Sequence, residues 1–160
     1  MKKRLLITLL VTFVLTAGLV QSQQLTIQIE PAKSVVLTNA DVESLPHIKV
    51  TTGAAESQAV FTGVSMKALL EKAGVTFGET LRGKRLASCL LVEASDDYRV
   101  VFALSEFDPA FADKQILLAF ERNGKPLDAK EGPYRIVVPD EKRMARWVRQ
   151  VTALRIVEVR

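Results

Sequence analysis

The stretch FTGVSMKALLEKAGV, residues 61–75, carries the clearest helix signals in the chain. Ser65 suits an N-cap, where a short hydroxyl can accept from the amides of the first turn. Val64 before it and Leu69 after it are placed for a hydrophobic staple. Met66, Leu69, Leu70 and Ala73 recur at helical spacing and make one apolar face. Gly74 suits the C′ position, where a left-handed residue without a Cβ ends a helix at no steric cost. No other segment reads as helix so clearly.

Outward from this helix the chain reads mostly as strands. Upstream, LTIQIE (25–30) alternates apolar and polar residues and ends at Pro31. SVVLTNADVESLPHIKVTT (34–52) reads as a strand, a turn and a second strand around Ile48–Thr52, with Pro46 marking the boundary. Downstream, LASCLLVEASDDYRVVFAL (86–104) reads as two strands around a polar turn at Ser95–Asp97. Ser105 can cap a short helical turn in EFDPAF (106–111). QILLAFERNGKPL (115–127) is a strand entering an Asn123-Gly124 hairpin turn. YRIVVP (134–139) and ALRIVEV (153–159) are further strands, and EKRMARWVRQV (141–151) between them is a turn or short helix. Strands do not alternate with long helices, which argues against a doubly wound parallel sheet. The expected class is α+β, a β-rich domain with mixed or antiparallel sheet.

The front of the chain reads as a leader. MKKR (1–4) is a positive start and LLITLLVTFVL (5–15) an apolar core. Val20 and Ser22 suit a cut after Ser22, so residues 1–22 are a signal peptide and 23–160 a single domain. Retention as a membrane anchor is the alternative, although Leu5–Val20 is short against the ~20 residues of a span. Without Lys2, Lys3 and Arg4, the 22 basic residues nearly balance the 18 acidic ones. Such a chain has no general electrostatic footprint for nucleic acid. The single Cys cannot form an internal disulfide. Export without disulfides points to a bacterial periplasm. One His and one Cys leave no zinc-type cluster, and any Ser-His-Asp triad would need His47.

The order of motifs resembles the molybdopterin-binding domain of the sulfite oxidase superfamily. Gly63-Val64 opens the helix, Ser95–Tyr98 matches a Ser-Asp-Gly-Tyr-like turn, and Asn123–Leu127 matches an Asn-Gly-x-Pro-Leu hairpin. Gly132–Pro139 matches a Gly-Pro-x-Arg strand ending in Pro, and Arg146-Trp147 a basic Lys/Arg-Trp segment. The likeness spans roughly residues 46–159. It implies a β-rich mixed-sheet domain of that type and a pterin or molybdopterin cofactor. Catalytic members of the family bind molybdenum through a Cys about a dozen residues before the Gly-Val pair. That position falls on Thr51 or Thr52, and a neutral hydroxyl does not replace a soft thiolate. The basic residues that follow the family's Cys are also missing from TTGAAES (51–57). The resemblance therefore implies the family's branch of small exported proteins that bind free pterins and signal to a membrane-bound cyclic-di-GMP enzyme. The alternatives are a molybdenum-cofactor oxidoreductase with an unusual metal site, and an accessory protein that binds nothing.

A pterin offers a flat face, an edge of N–H donors and a carbonyl. Trp147 can supply a stacking wall, and stacking on an aromatic ring is worth roughly 1–3 kcal/mol out of the about 8 kcal/mol of a micromolar complex. Arg143 or Arg146 can donate to the carbonyl or hold a phosphate or glutamyl tail. Asp96 or Asp97 can accept from the N–H edge, and Tyr98 can wall the pocket. Thr51 and Thr52 can donate hydrogen bonds into the same cavity. Each has a plainer reading: a core ring, solvated arginines, turn acids and strand-filling threonines. His47 reads as a junction residue, and Cys89 as a small buried hydrophobe. No catalytic or metal-binding residue is assigned.

Overall fold

The computed structural model describes residues 24–29, 33–53 and 58–158. The expected leader lies outside these residues, as do Glu30 and Pro31. Among the described residues ten strands form two sheets, with two short helices beside them. The first sheet contains β1 (Gln24–Ile29), β2 (Lys33–Thr38), β5 (Ser88–Ala94), β6 (Arg99–Ala103) and β10 (Val151–Glu158), in the order β2-β1-β10-β5-β6. The second runs β3 (His47–Thr52), β4 (Ala59–Ser65), β7 (Leu117–Arg122) and β8 (Lys125–Pro126), with β9 (Arg135–Val137) also on β7. Only β1 and β10 pair in parallel, which makes the first sheet mixed. This is the β-rich α+β class expected from the sequence.

The core sits where alternate strand residues meet the helix face. Leu25 and Ile27 of β1, Leu90 and Val92 of β5, and Leu154 of β10 are all buried. α2 (Met66–Lys72) contributes Met66, Leu69 and Leu70, also buried. Each such side chain contributes about 1.5–3 kcal/mol by leaving water. Ser65 is the N-cap residue of α2, but its side chain makes no cap hydrogen bond. Gly74 lies past the helix end with φ +97°, as the C′ reading required. Lys33 of β2 donates to the Ala73 carbonyl at 3.1 Å and so satisfies one helix-end acceptor from the first sheet.

Gly63 has a steric role that its motif did not reveal. A Cβ there would lie 2.3 Å from the Leu118 carbonyl oxygen, so only glycine lets β4 and β7 close at this point. The β4–β7 register shifts beside it, between Thr62 and Gly63.

Two local expectations are corrected. The turn after β2 is a helix, α1 (Asn39–Glu43), opened by a capping box between Thr38 and Asp41. Ser105 does not cap the turn that follows β6. The helical turn covers Leu104–Phe107, and the Glu106 carboxylate accepts from the Ala103 amide. The Asn123-Gly124 hairpin is as expected, with φ of 53° and 73°. Asn123 also accepts from the Val60 amide at 2.8 Å, which ties this turn to β4.

Candidate functional site

The turn between β5 and β6 meets the segment before β10 in an open cleft of about 540 Å³. That volume is within the range of about 300–1,000 Å³ usual for small-molecule sites. Gln150 holds its walls together. The Gln150 carbonyl accepts from the Ser95 amide, and its side-chain oxygen accepts from the Ser95 hydroxyl. Its side-chain nitrogen donates to Ala129 and its backbone amide to the Glu131 carbonyl. Two separate segments thus converge on one residue, which adopts φ 50°. Nothing in the sequence pattern marked Gln150.

Tyr98 lines this cleft with a half-exposed ring. Its hydroxyl donates to the Ala145 carbonyl at 2.7 Å, fixing the ring across the gap. Asp96 lines the cleft as well, with one oxygen accepting from the Tyr98 amide at 3.1 Å. Asp97 is the left-handed residue of the turn, φ 64°, exposed and outside the lining. Of the two turn acids, the structure places Asp96 at the cleft. Arg149 and Lys130 also line it, and both are exposed.

Trp147 borders the same cleft but is 6% exposed. Its indole N–H donates to the Val138 carbonyl at 3.0 Å. Its ring meets Phe61 edge-on at 6.1 Å and 84°, and the Arg135 guanidinium lies 5.6 Å from its centroid. The ring is an anchor of the core and offers no open face, which corrects the reading of Trp147 as a stacking wall. The half-exposed aromatic face at the cleft belongs to Tyr98.

Arg146 is likewise not a free clamp. It pairs with Glu141 and Glu106, donates to the Val101 carbonyl at 3.3 Å, and lies 4.3 Å from the Phe102 centroid. Hydrogen bonds donated to Glu106 raise its guanidinium pKa against the opposing effect of burial. Burial works against the Glu106 carboxylate, yet bonds from Arg146, Lys114 and the Ala103 amide hold it down at about 2. Arg143 precedes the helical turn Met144–Arg146, is exposed, and does not line the cleft.

Thr51 and Thr52 end β3 in the second sheet. Thr51 is exposed, and the Thr52 hydroxyl is buried and donates to the Ala59 carbonyl at 3.4 Å. Neither lines the cleft. Cys89 lies in the other sheet, opposite Ala103 and Val157, where burial pushes its thiol up. Among the described residues no group of three His, Cys, Asp or Glu is arranged to hold a metal ion.

Sequence reading missed a cationic group behind the cleft. Arg135, the first residue of β9, is 8% exposed and lies 5.3 Å from the Phe61 centroid. It pairs with Glu131, which also pairs with Arg122 at 3.2 Å. The sign that could have revealed it is the Arg inside an otherwise apolar strand, YRIVVP. A larger hollow, about 710 Å³, lies on the other side of the 126–134 segment around His47, Phe120 and Tyr134. His47 is exposed there, with its ring nitrogen 3.0 Å from the Glu43 carbonyl. Of the sequence-based candidates only His47 lies in that hollow, whereas Asp96, Tyr98 and Trp147 meet in the smaller one.

Comparison with curated proteins gives no match. Among solved structures, the sulfane dehydrogenase SoxCD from Paracoccus pantotrophus matches with a TM-score of 0.66 and 22% identity, over 86% of this chain. The match covers 38% of the SoxCD chain, so this protein corresponds to a minor part of it, and the likeness is one of fold. The family described as oxidoreductase molybdopterin binding domain matches residues 19–159. With nearly the whole chain matched and the fold shared, this protein belongs to the oxidoreductase molybdopterin binding domain family.

Proposed function

We propose that this chain is a non-catalytic, exported pterin-binding protein that takes its ligand in the cleft beside Tyr98. The observation that carries the reading is the cleft itself: in a pterin-cofactor family, it sets a tethered, half-exposed aromatic ring next to a carboxylate and two cations. Tyr98 stacks on the heterocycle. The free oxygen of Asp96 accepts from its N–H edge, and Arg149 or Lys130 donates to its carbonyl. Trp147 supports the cleft floor from the core.

A molybdenum ion held by a protein thiolate does not fit the residues present. The chain's one thiol is on β5, on the other sheet from Thr51 and Thr52. No reaction step through such a metal follows from this donor set. Occupancy of the cleft is instead passed to the periplasmic part of a membrane signalling protein, for which the leader-like residues 1–22 supply the route of export. The second reading, a molybdenum-cofactor oxidoreductase, is favoured by the likeness to a dehydrogenase.

The test is calorimetric titration of the purified chain with oxidised and reduced pterins, alongside metal analysis of protein isolated from its native host. Micromolar binding that is lost in Tyr98→Ala supports the proposal. Heat-silent titrations with every pterin sink it, and stoichiometric molybdenum hands the case to the oxidoreductase.

A further inference from the structure

We propose that the larger hollow, across the 126–134 segment from the cleft, is a second binding site and takes an organic ammonium ion. This does not depend on the pterin reading. The hollow measures about 710 Å³, inside the range of about 300–1,000 Å³ usual for small-molecule sites. Three rings wall it, each brought by a different part of the fold. His47 opens β3, Phe120 is on β7, and Tyr134 stands just before β9. The His47 and Phe120 rings meet edge to face at 5.1 Å and 67°. Tyr134 is buried, and its hydroxyl donates to the Asn39 side-chain oxygen at 2.7 Å. The walls are thus held in place before any ligand arrives.

The charge of this hollow is of one sign. Glu43 of α1, Glu121 of β7 and Asp128 line it, and no lysine or arginine does. The whole chain has 22 basic against 18 acidic residues, so composition alone does not produce such a lining. Glu121 is the telling residue. Among the described residues, every other buried or half-buried glutamate pairs with at least one cation: Glu93, Glu106, Glu131 and Glu141. Glu121 is half-buried and pairs with none of them. A carboxylate drawn partly out of water in this way gains from a cation that comes to it. Tyr134 registers the same field: burial pushes its hydroxyl up to about 12, and the charge of Glu43 adds to the rise.

The rest of the lining decides what kind of cation fits. Among the described residues no three His, Cys, Asp or Glu groups are arranged for a metal ion. Much of the wall is ring and aliphatic surface instead, including Leu127 and Pro133. An ammonium carried on carbon uses both kinds of surface. Its charge is attracted by ring faces as well as by carboxylates, and its alkyl part covers the apolar wall.

The experiment titrates the full chain with cadaverine dihydrochloride and with tetramethylammonium chloride by calorimetry, and follows Tm against sodium chloride of equal ionic strength. At least one of the two is expected to bind with a dissociation constant of about a millimolar or lower and to raise Tm above the sodium chloride control. Glu43→Gln/Glu121→Gln should weaken that binding at least about tenfold by removing both unpaired charges. If the double variant folds poorly, Glu43→Gln alone, at an exposed helix position, is read in its place for the same direction of change. Phe120→Leu, which keeps apolar bulk without the ring, should weaken binding at least about threefold. Failure of both cations to bind, or an affinity unchanged in the glutamate variants, overturns the proposal. An affinity unchanged in Phe120→Leu, or an equal rise in Tm with calcium chloride, overturns its organic part, since calcium needs oxygen ligands and no ring. Pterin titrations of the glutamate variants are expected to match the wild type, so failure of this site and failure of the cleft are read separately.

Discussion

Arg146 and Arg135 each lay a guanidinium on aromatic rings, Arg146 on Phe102 of the first sheet and Arg135 on Phe61 and Trp147 beside the second. Arg146 has two carboxylates, Glu106 and Glu141, and a backbone carbonyl as well. Arg135 has part of one carboxylate and an idle Nε. Arg146 is also the more exposed, with 28% of its side chain accessible against 10% for Arg135. The deeper charge therefore has the poorer neutralisation. A charge placed for stability alone would show the reverse order. The difference separates an arginine that holds the 141–147 segment down from one left under-neutralised between two rings.

The largest expected effect is at the ring that Arg135 lies over. Trp147→Ala should cost about 3–5 kcal/mol of stability, as a large aromatic removed from a core does, measured by urea denaturation. A variant that kept its midpoint and lost only ligand would restore Trp147 as a binding wall and undo the contrast. Next come the arginines themselves. Arg146→Met strands Glu141 and weakens Glu106, and should cost about 2–3 kcal/mol, below the figure for a fully buried pair because the group is partly solvated. Arg135→Met removes an under-neutralised charge and leaves Glu131 with Arg122, so its cost should stay within about 1 kcal/mol or turn to a gain. Equal losses in the two variants would break the comparison.

Acid should sharpen it. The Glu106 carboxylate is held down at about 2 in the folded chain, against an ordinary 4.5. Its contribution is present above the ordinary value and is lost as pH falls from about 4.5 toward 2. Stability followed by circular dichroism should drop faster over that window in the wild type than in Glu106→Gln. Parallel curves would show that Arg146 is not held by this pair. The smallest effect belongs to Tyr98→Phe, which loses one exposed hydrogen bond to Ala145 and should cost under about 1 kcal/mol. Its pterin affinity should fall more than its stability, because the ring is no longer tethered.

Much of the fold was legible because it rests on local rules. The apolar spacing of Met66, Leu69 and Leu70, the Gly74 stop and the Asn123-Gly124 turn each decide their own conformation. The capping box of α1 was equally local and was overlooked, since Thr38 and Asp41 sat in a stretch already read as a turn. The site was less legible because burial and pairing are properties of distant neighbours. Trp147 and Arg146 looked like a clamp beside each other in sequence. In space one faces the core and the other answers Glu106, forty positions away. Gln150 carries no motif, and the Arg135 of the Gly-Pro-x-Arg strand gave no sign of its burial; both matter through partners at Ser95, Ala129, Glu131 and Phe61. The matched segments do converge, because Tyr98, Asp96 and Trp147 line one cleft.

The hydrogen bond from Arg146 to the Val101 carbonyl also bears on the exposed edge of the first sheet. Among the described residues β6 is the last strand of its sheet, with one side of its backbone unpaired by a strand. Val101 on that strand is half-exposed and apolar. Unpaired edges of this kind recruit strands from neighbouring molecules. Arg146 occupies one of the acceptors at that edge and places a charge beside it. The residue that fastens the segment before β10 thus also puts a charge on a strand edge, where charged side chains work against strand pairing between molecules.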